Sequence, residues 1–236
     1  MSYKNKPNEE FELPRCTAES DGRRTFLKLS GGAAAALAIT GATALAENRF
    51  FSIPVAPQDG TVDLGSGDTG ILNYAYALEQ LEAAYYTQVM SSPYAGMTAE
   101  ERQILTDLRD HEIVHREFFK AALGTNAIPA LVPDFSKVKF DSRASVLKTA
   151  QIFEDLGVSA YNGAGQLLTD PQNLLLAGKI VSVEARHAAA IRDLLKPRSD
   201  SFAPKPLDFE RSPGAVLKLA GLFIKTKISG DNLPKA

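Results

Sequence analysis

A glutamate and tyrosine seven residues apart, followed by a Glu-x-x-His turn, occur twice in this chain, and nothing else in it restricts the fold so tightly. The first copy is Glu79 with Tyr86, then Glu112-x-x-His115; the second is Glu154 with Tyr161, then Glu184-x-x-His187. The glutamates are 33 residues apart in the first copy and 30 in the second. At i, i+3 the Glu and His point the same way from a helix, one turn apart. A lone Glu-x-x-His arises by chance in most helical proteins of this size. Its repetition with the same flanking residues at matching positions is far more specific.

The same stretch permits a second reading. Asp110-His111-Glu112-Ile113-Val114-His115 also contains His111-Glu112-x-x-His115, the zinc-peptidase pattern in which two histidines hold Zn and the glutamate acts as base. That alternative needs a third ligand and leaves Glu79, Glu154 and Glu184 unexplained as buried acids. The repeat also pairs His111 with Val183 and so gives it no metal role. His111 then reads as a partly buried or surface-facing histidine, with a hydrogen-bonding place behind the ligands as the alternative.

Hydrophobic periodicity puts every copy on a helix. Asp68 or Thr69 can cap a first helix to about Met90, with Leu72, Ala75, Glu79, Glu82, Tyr86 and Val89 on one stripe. Carboxylates inside an apolar face are costly unless paired, protonated or metal-bound. Thr98 and Glu101 form a capping box for a second helix ending near Gly124, whose stripe is Leu105, Leu108, Glu112, His115, Phe119 and Ala122. Asp141 or Ser142 starts a third, with Leu147, Ala150, Glu154, Gly157, Tyr161, Ala164 and Leu168 inward. Asp170 caps a fourth, Pro171 lies in its first turn and Pro197 ends it; its stripe is Ala177, Ile180, Glu184, His187, Ile191 and Leu194.

The connections order these helices. Residues 125–141 hold two prolines and no helical period. About 17 extended residues reach roughly 55 Å, more than the ~40 Å of a 27-residue helix. This segment can therefore run the length of a bundle and start helix three parallel to helix two. The very short third loop makes helices three and four an antiparallel hairpin. The expectation is an all-α four-helix bundle with one long crossover between helices two and three, plus a short apolar C-terminal helix at Ala215 to Lys227.

The N-terminus carries a different signal. Arg23-Arg24-Thr25-Phe26-Leu27-Lys28 is a twin-arginine block, followed by the Ala/Gly-rich run Leu29 to Leu45 and the small-residue exit Ala44-Leu45-Ala46. The expected organisation is a twin-arginine (Tat) signal peptide over 1–46, an extended lead-in over 47–67, the bundle over 68–197 and a C-terminal extension over 198–236. Export through the Tat translocase to the periplasm or cell exterior follows. Cleavage would remove Cys16, the only cysteine, and with it thiolate or disulfide chemistry. It would also remove six of the 26 Lys and Arg and five of the 28 Asp and Glu, leaving 20 against 23. That mild negative charge recruits no nucleic acid.

Two divalent metals need about four carboxylates to neutralise and bridge them and a nitrogen ligand each, which Glu79, Glu112, His115, Glu154, Glu184 and His187 supply. Six ligands leave coordination positions open to water, dioxygen or peroxide. The oxygen-rich, thiolate-free set suits Fe or Mn better than Zn or Cu(I). Glu82 is a further candidate ligand, read first as a carboxylate beside the metals or in their access route. Its counterpart Gly157 leaves room for a small oxidant.

On these residues the chain resembles the ferritin-like superfamily over roughly residues 66–196, and within it the Tat-exported proteins related to desiccation-associated ferritin-like proteins. The superfamily order of glutamate, Glu-x-x-His, glutamate, Glu-x-x-His matches Glu79, Glu112 with His115, Glu154, and Glu184 with His187. Tyr86 and Tyr161 are similar to tyrosines that hydrogen-bond across the site in bacterioferritin-like members. The resemblance implies a non-haem centre of two Fe, or of Mn or mixed Mn and Fe, acting on dioxygen or peroxide as oxidase, peroxidase or catalase in oxidative or desiccation stress. It also spans iron stores, and it is compatible with a homo-oligomer. A structural or stress-protective bundle with an inert metal site is the alternative from another class.

Overall fold

Caps and turn residues divide the chain into its helices. The structure is a computed structural model that describes residues 60–235. The expected signal peptide, with its twin-arginine block and exit site, lies outside the described residues, as does most of the lead-in.

Helix α1 spans Gly67–Ser91, α2 Ala99–Leu123, α3 Arg143–Gly165, α4 Pro171–Leu195 and α5 Pro213–Ala220. Short strands β1 (Val62–Asp63) and β2 (Ile228–Ser229) flank the helices. The capping box of α2 forms as its residues require: Glu101 N donates to Thr98 Oγ1 at 3.1 Å and Thr98 N to Glu101 Oε2 at 2.8 Å. Ser142 caps α3, and Asp170 caps α4 by accepting from Gln172 N at 2.8 Å.

Ion pairs and hydrogen bonds at the helix ends establish the topology. Arg143, at the start of α3, meets Glu101 at the start of α2 (2.5 Å) and the Leu194 carbonyl at the end of α4 (2.8 Å). Asp68, at the start of α1, accepts from Thr169 N, Asp170 N and Asn173 Nδ2 at the start of α4, at 2.8, 2.9 and 2.9 Å. Thus α2 runs parallel to α3 and α1 to α4, the single-crossover arrangement. Asp68 was expected as an α1 cap. Ser66 holds that position instead, and the Asp68 carboxylate satisfies free N–H groups around the next helix hairpin.

The crossover lies along α1. Asn73 bonds the Asn126 carbonyl and the Ile128 amide, Gln80 accepts from Leu131 N, and Tyr85 packs on Phe135 and Phe140. Covered on its outer side, α1 buries Tyr74, Ala77, Leu81 and Tyr85 besides its inward stripe. Tyr85 donates to the Val146 carbonyl at 2.6 Å, which satisfies its buried hydroxyl.

The C-terminal segment differs from expectation past Ala220. The helix gives way to a 3-10 turn at Gly221–Phe223 and then to extended chain. Ile224 bridges antiparallel to Pro133, Lys225 N donates to Val132 O, and β2 pairs parallel with β1. Ile224, Thr226 and Ile228 alternate with exposed Lys225 and Lys227, a period of two that favours a strand. The crossover and lead-in also carry backbone groups that need partners.

Candidate metal centre

Each of the four long helices brings one glutamate to the same depth of the bundle. Glu79 on α1, Glu112 on α2, Glu154 on α3 and Glu184 on α4 are fully buried, and His187 nearly so. His115 is slightly more open. These six residues form two sets of potential ligand atoms, each set lying within 4.8 Å: Glu79, Glu112, His115 and Glu184; and Glu112, Glu154, Glu184 and His187. Glu112 and Glu184 belong to both sets.

The geometry is close to two-fold symmetric. His115 Nδ1 lies 3.4 Å from Glu79 Oε2, 3.5 Å from Glu112 Oε2 and 3.0 Å from Glu184 Oε1. His187 Nδ1 lies 3.4 Å from Glu154 Oε2, 2.8 Å from Glu112 Oε1 and 3.6 Å from Glu184 Oε2. Despite these approaches, Glu79 Oε2, both oxygens of Glu112, Glu154 Oε2, both oxygens of Glu184 and both histidine Nδ1 atoms have no hydrogen-bond partner. Eight buried polar atoms turned toward one another without hydrogen-bond geometry would be very costly in an ordinary core. Either set could hold a metal ion, and Glu112 and Glu184 each turn one oxygen toward His115 and the other toward His187.

The two outer glutamates are held from across the bundle. Tyr86 on α1 donates to Glu154 Oε1 on α3 at 2.5 Å, and Tyr161 on α3 donates to Glu79 Oε1 on α1. Each tyrosine therefore satisfies one carboxylate oxygen and leaves the other facing the centre. The seven-residue offset produces this exchange because it separates glutamate and tyrosine by two helical turns on one face.

Electrostatics also favour cations here. Burial, followed by the charges of Glu184 and Glu79, pushes Glu112 well above the ordinary carboxylate range. Burial raises Glu154 to about 7, against the opposing pull of His187. Burial acts on Glu184 too, but the approach of both histidines outweighs it and holds that carboxyl low. Burial alone would lower the histidines; Glu154 and Glu112 instead carry His187 up to about 12, and Glu79 leads a similar rise at His115. The centre is thus short of positive charge, and protons supply it when nothing else does.

Glu82 is a fifth buried carboxylate at this centre. It is pushed far up by burial and then by Glu112, Glu184, Glu79 and Glu154. It belongs to neither ligand set. A Cβ on Gly157 would come within 3.2 Å of Glu82 Oε1 and 3.6 Å of Glu184 Oε2. Gly157 therefore leaves the space that the Glu82 carboxylate occupies.

His111 is surface-facing, as expected, and also takes the hydrogen-bonding place behind the ligands that was its alternative. Its Nδ1 lies 2.9 Å from His187 Nε2, with the two rings edge to edge and nearly coplanar, their centroids 5.2 Å apart and their planes 14° apart. It sits directly behind a candidate ligand. The repeat obscured this because it compares like positions in the two halves, whereas this contact crosses from α2 to α4. One signal was available: the chain has three histidines, and two already belonged to the motif. His111 is in neither ligand set, so His111 and His115 do not converge on one ion as the zinc-peptidase reading requires.

Comparison with known proteins agrees with this arrangement. Residues 67–197, more than half of the chain, match a family described as the ferritin-like domain. A search of curated proteins finds no match.

Proposed function

The chain belongs to the ferritin-like domain family, and from that premise we propose that it holds two divalent Fe or Mn ions and carries out redox chemistry on dioxygen or peroxide. One observation carries the reading: eight unpartnered buried oxygens and nitrogens form two sets that share Glu112 and Glu184. Four carboxylates balance the charge of two divalent ions, and an oxygen-rich set without thiolate suits Fe or Mn. When bound, such a pair supplies electrons to a small oxidant at adjacent open positions.

The chain's own groups have separate tasks in this reading. Glu112 and Glu184, common to both sets, would be shared between the two ions, while Glu79 with His115 and Glu154 with His187 would complete one set each. Tyr86 and Tyr161 act through Glu154 and Glu79, orienting each carboxylate. Packing around the centre keeps bulk water from it, so charges interact more strongly than in solution. The Arg23-Arg24 block supports Tat export to the periplasm or cell exterior and a setting in oxidative or desiccation stress defence.

Elemental analysis of protein purified from its native compartment, followed by assays with dioxygen and peroxide, tests the proposal. Two Fe or Mn per chain with turnover is the expected result. Two metals without turnover would move the protein to the structural class. Glu112→Ala or Glu184→Ala should abolish dinuclear binding, and two metals retained in either variant would contradict the assignment.

A further inference from the structure

The ligand arrangement is nearly symmetric, and His111 breaks the symmetry. His115 and His187 occupy matching places, each with Nδ1 toward three carboxylates. Behind His187, its Nε2 meets His111 Nδ1 at 2.9 Å. The position matching His111 in the other half is Val183, whose hydrocarbon side chain forms no hydrogen bond. Among the described residues, none bonds the far nitrogen of His115.

We propose that His111 is a positioning residue for His187 and makes the two metal positions unequal. The position built from Glu112, Glu154, Glu184 and His187 then binds a divalent cation more tightly than that built from Glu79, Glu112, His115 and Glu184. This inference rests on the two-metal reading above.

The chemistry follows from the imidazole ring. A neutral histidine that offers the Nδ1 lone pair to a metal carries its hydrogen on Nε2. At His187 that N–H donates to the lone pair of His111 Nδ1, and His111 carries its own hydrogen on its outer nitrogen. The contact selects the tautomer that His187 needs and increases electron density on its ligating nitrogen. The in-line, nearly coplanar contact also restricts rotation of the His187 ring, because turning it would break the hydrogen bond. His115 lacks such a partner, so binding must select its tautomer and ring angle. Outer hydrogen bonds of this kind are typically worth about 10–100-fold in metal affinity.

The test uses the whole protein and Co(II) alone, titrated without oxygen and followed by calorimetry and visible absorption. Wild type should take two ions in two resolved steps. His111→Phe keeps an aromatic ring beside His187 but removes the acceptor, whereas His111→Gln keeps an acceptor. The Phe variant should weaken one step by about 10–100-fold, leave the other step unchanged and still reach two ions. The Gln variant should recover much of the lost affinity. In the Co(II)-loaded wild type, the shifted N–H proton of His187 should exchange slowly with solvent, and His111→Phe should accelerate that exchange. An unchanged pair of steps in His111→Phe, or equal weakening of both, would overturn the inference alone. Fewer than two ions in wild type would overturn the two-metal reading, and the inference with it.

Discussion

Five carboxylates and two imidazoles meet in one buried interior, and their protonation makes the metal-free protein sensitive to pH. Glu154 is raised from 4.5 to about 7, so the folded state binds more protons than the unfolded state between those values. Glu112 and Glu82 move the same way. His187, raised from 6.5 to about 12, also makes the folded state the stronger proton binder above pH 6.5. All four contributions are fully present at low pH and are lost as pH rises. The lowered Glu184 acts oppositely, but only below its unfolded value of 4.5. Metal-free protein should therefore lose thermal stability between pH 5 and pH 8, while the metal-loaded protein should not, as calorimetry of both forms at several pH values would reveal. A Tm of the metal-free form that rises over this interval would contradict the assignment of protons to the centre.

Residue spacing made the convergence of Glu79, Glu112, His115, Glu154, Glu184 and His187 legible because each lies at a matched position on an inward stripe. The cross-bundle contacts of Tyr86 and Tyr161 were implied by the family resemblance, and the spacing alone did not show them. The His111 contact was not legible, since it depends on how α2 and α4 rotate against each other. A repeat within the chain carries no information about that angle.

Among the elements, α2 and α4 begin where their capping residues dictate, while α1 shows how a local signal can serve a distant helix. Asp68 has the chemistry of an N-cap, but its carboxylate accepts from Thr169, Asp170 and Asn173. Hydrogen bonds from Asn173 and Thr169 hold it well below the usual carboxylate range. A local reading could not choose between these partners, because the start of α4 approaches α1 only through the crossover topology. Asp68→Ala should cost about 0.5–2 kcal/mol, the range of a lost cap. The contribution should be present above the unfolded aspartate value near pH 4 and fade below it. Urea unfolding of both proteins at pH 7 and pH 3 would measure the difference, which should be large at pH 7 and small at pH 3.

For the whole molecule, the crossover length was enough to order the four helices, because ~17 residues must travel somewhere. The fate of the C-terminal segment was less legible. Leu217, Leu219, Leu222 and Ile224 read as one apolar helix, but unpaired backbone in the crossover and lead-in captures the chain beyond Phe223. Removal of residues 224–236 should therefore expose the amides of Val62, Leu64 and Val132, whose acceptors lie on Lys227, Ser229 and Thr226. Hydrogen exchange should accelerate at these positions, whereas amides around Glu112 and Glu184 should remain protected.

The proposed function requires two cations that share Glu112 and Glu184. A crystal structure of the Mn- or Fe-loaded protein, with anomalous scattering recorded at the metal edge, tests that claim most directly. The account predicts two anomalous peaks between the four helices, one beside His115 Nδ1 and one beside His187 Nδ1, with both bridging glutamates contacting each. A single peak held by His111 and His115, or full loading with no peak among these glutamates, would contradict it.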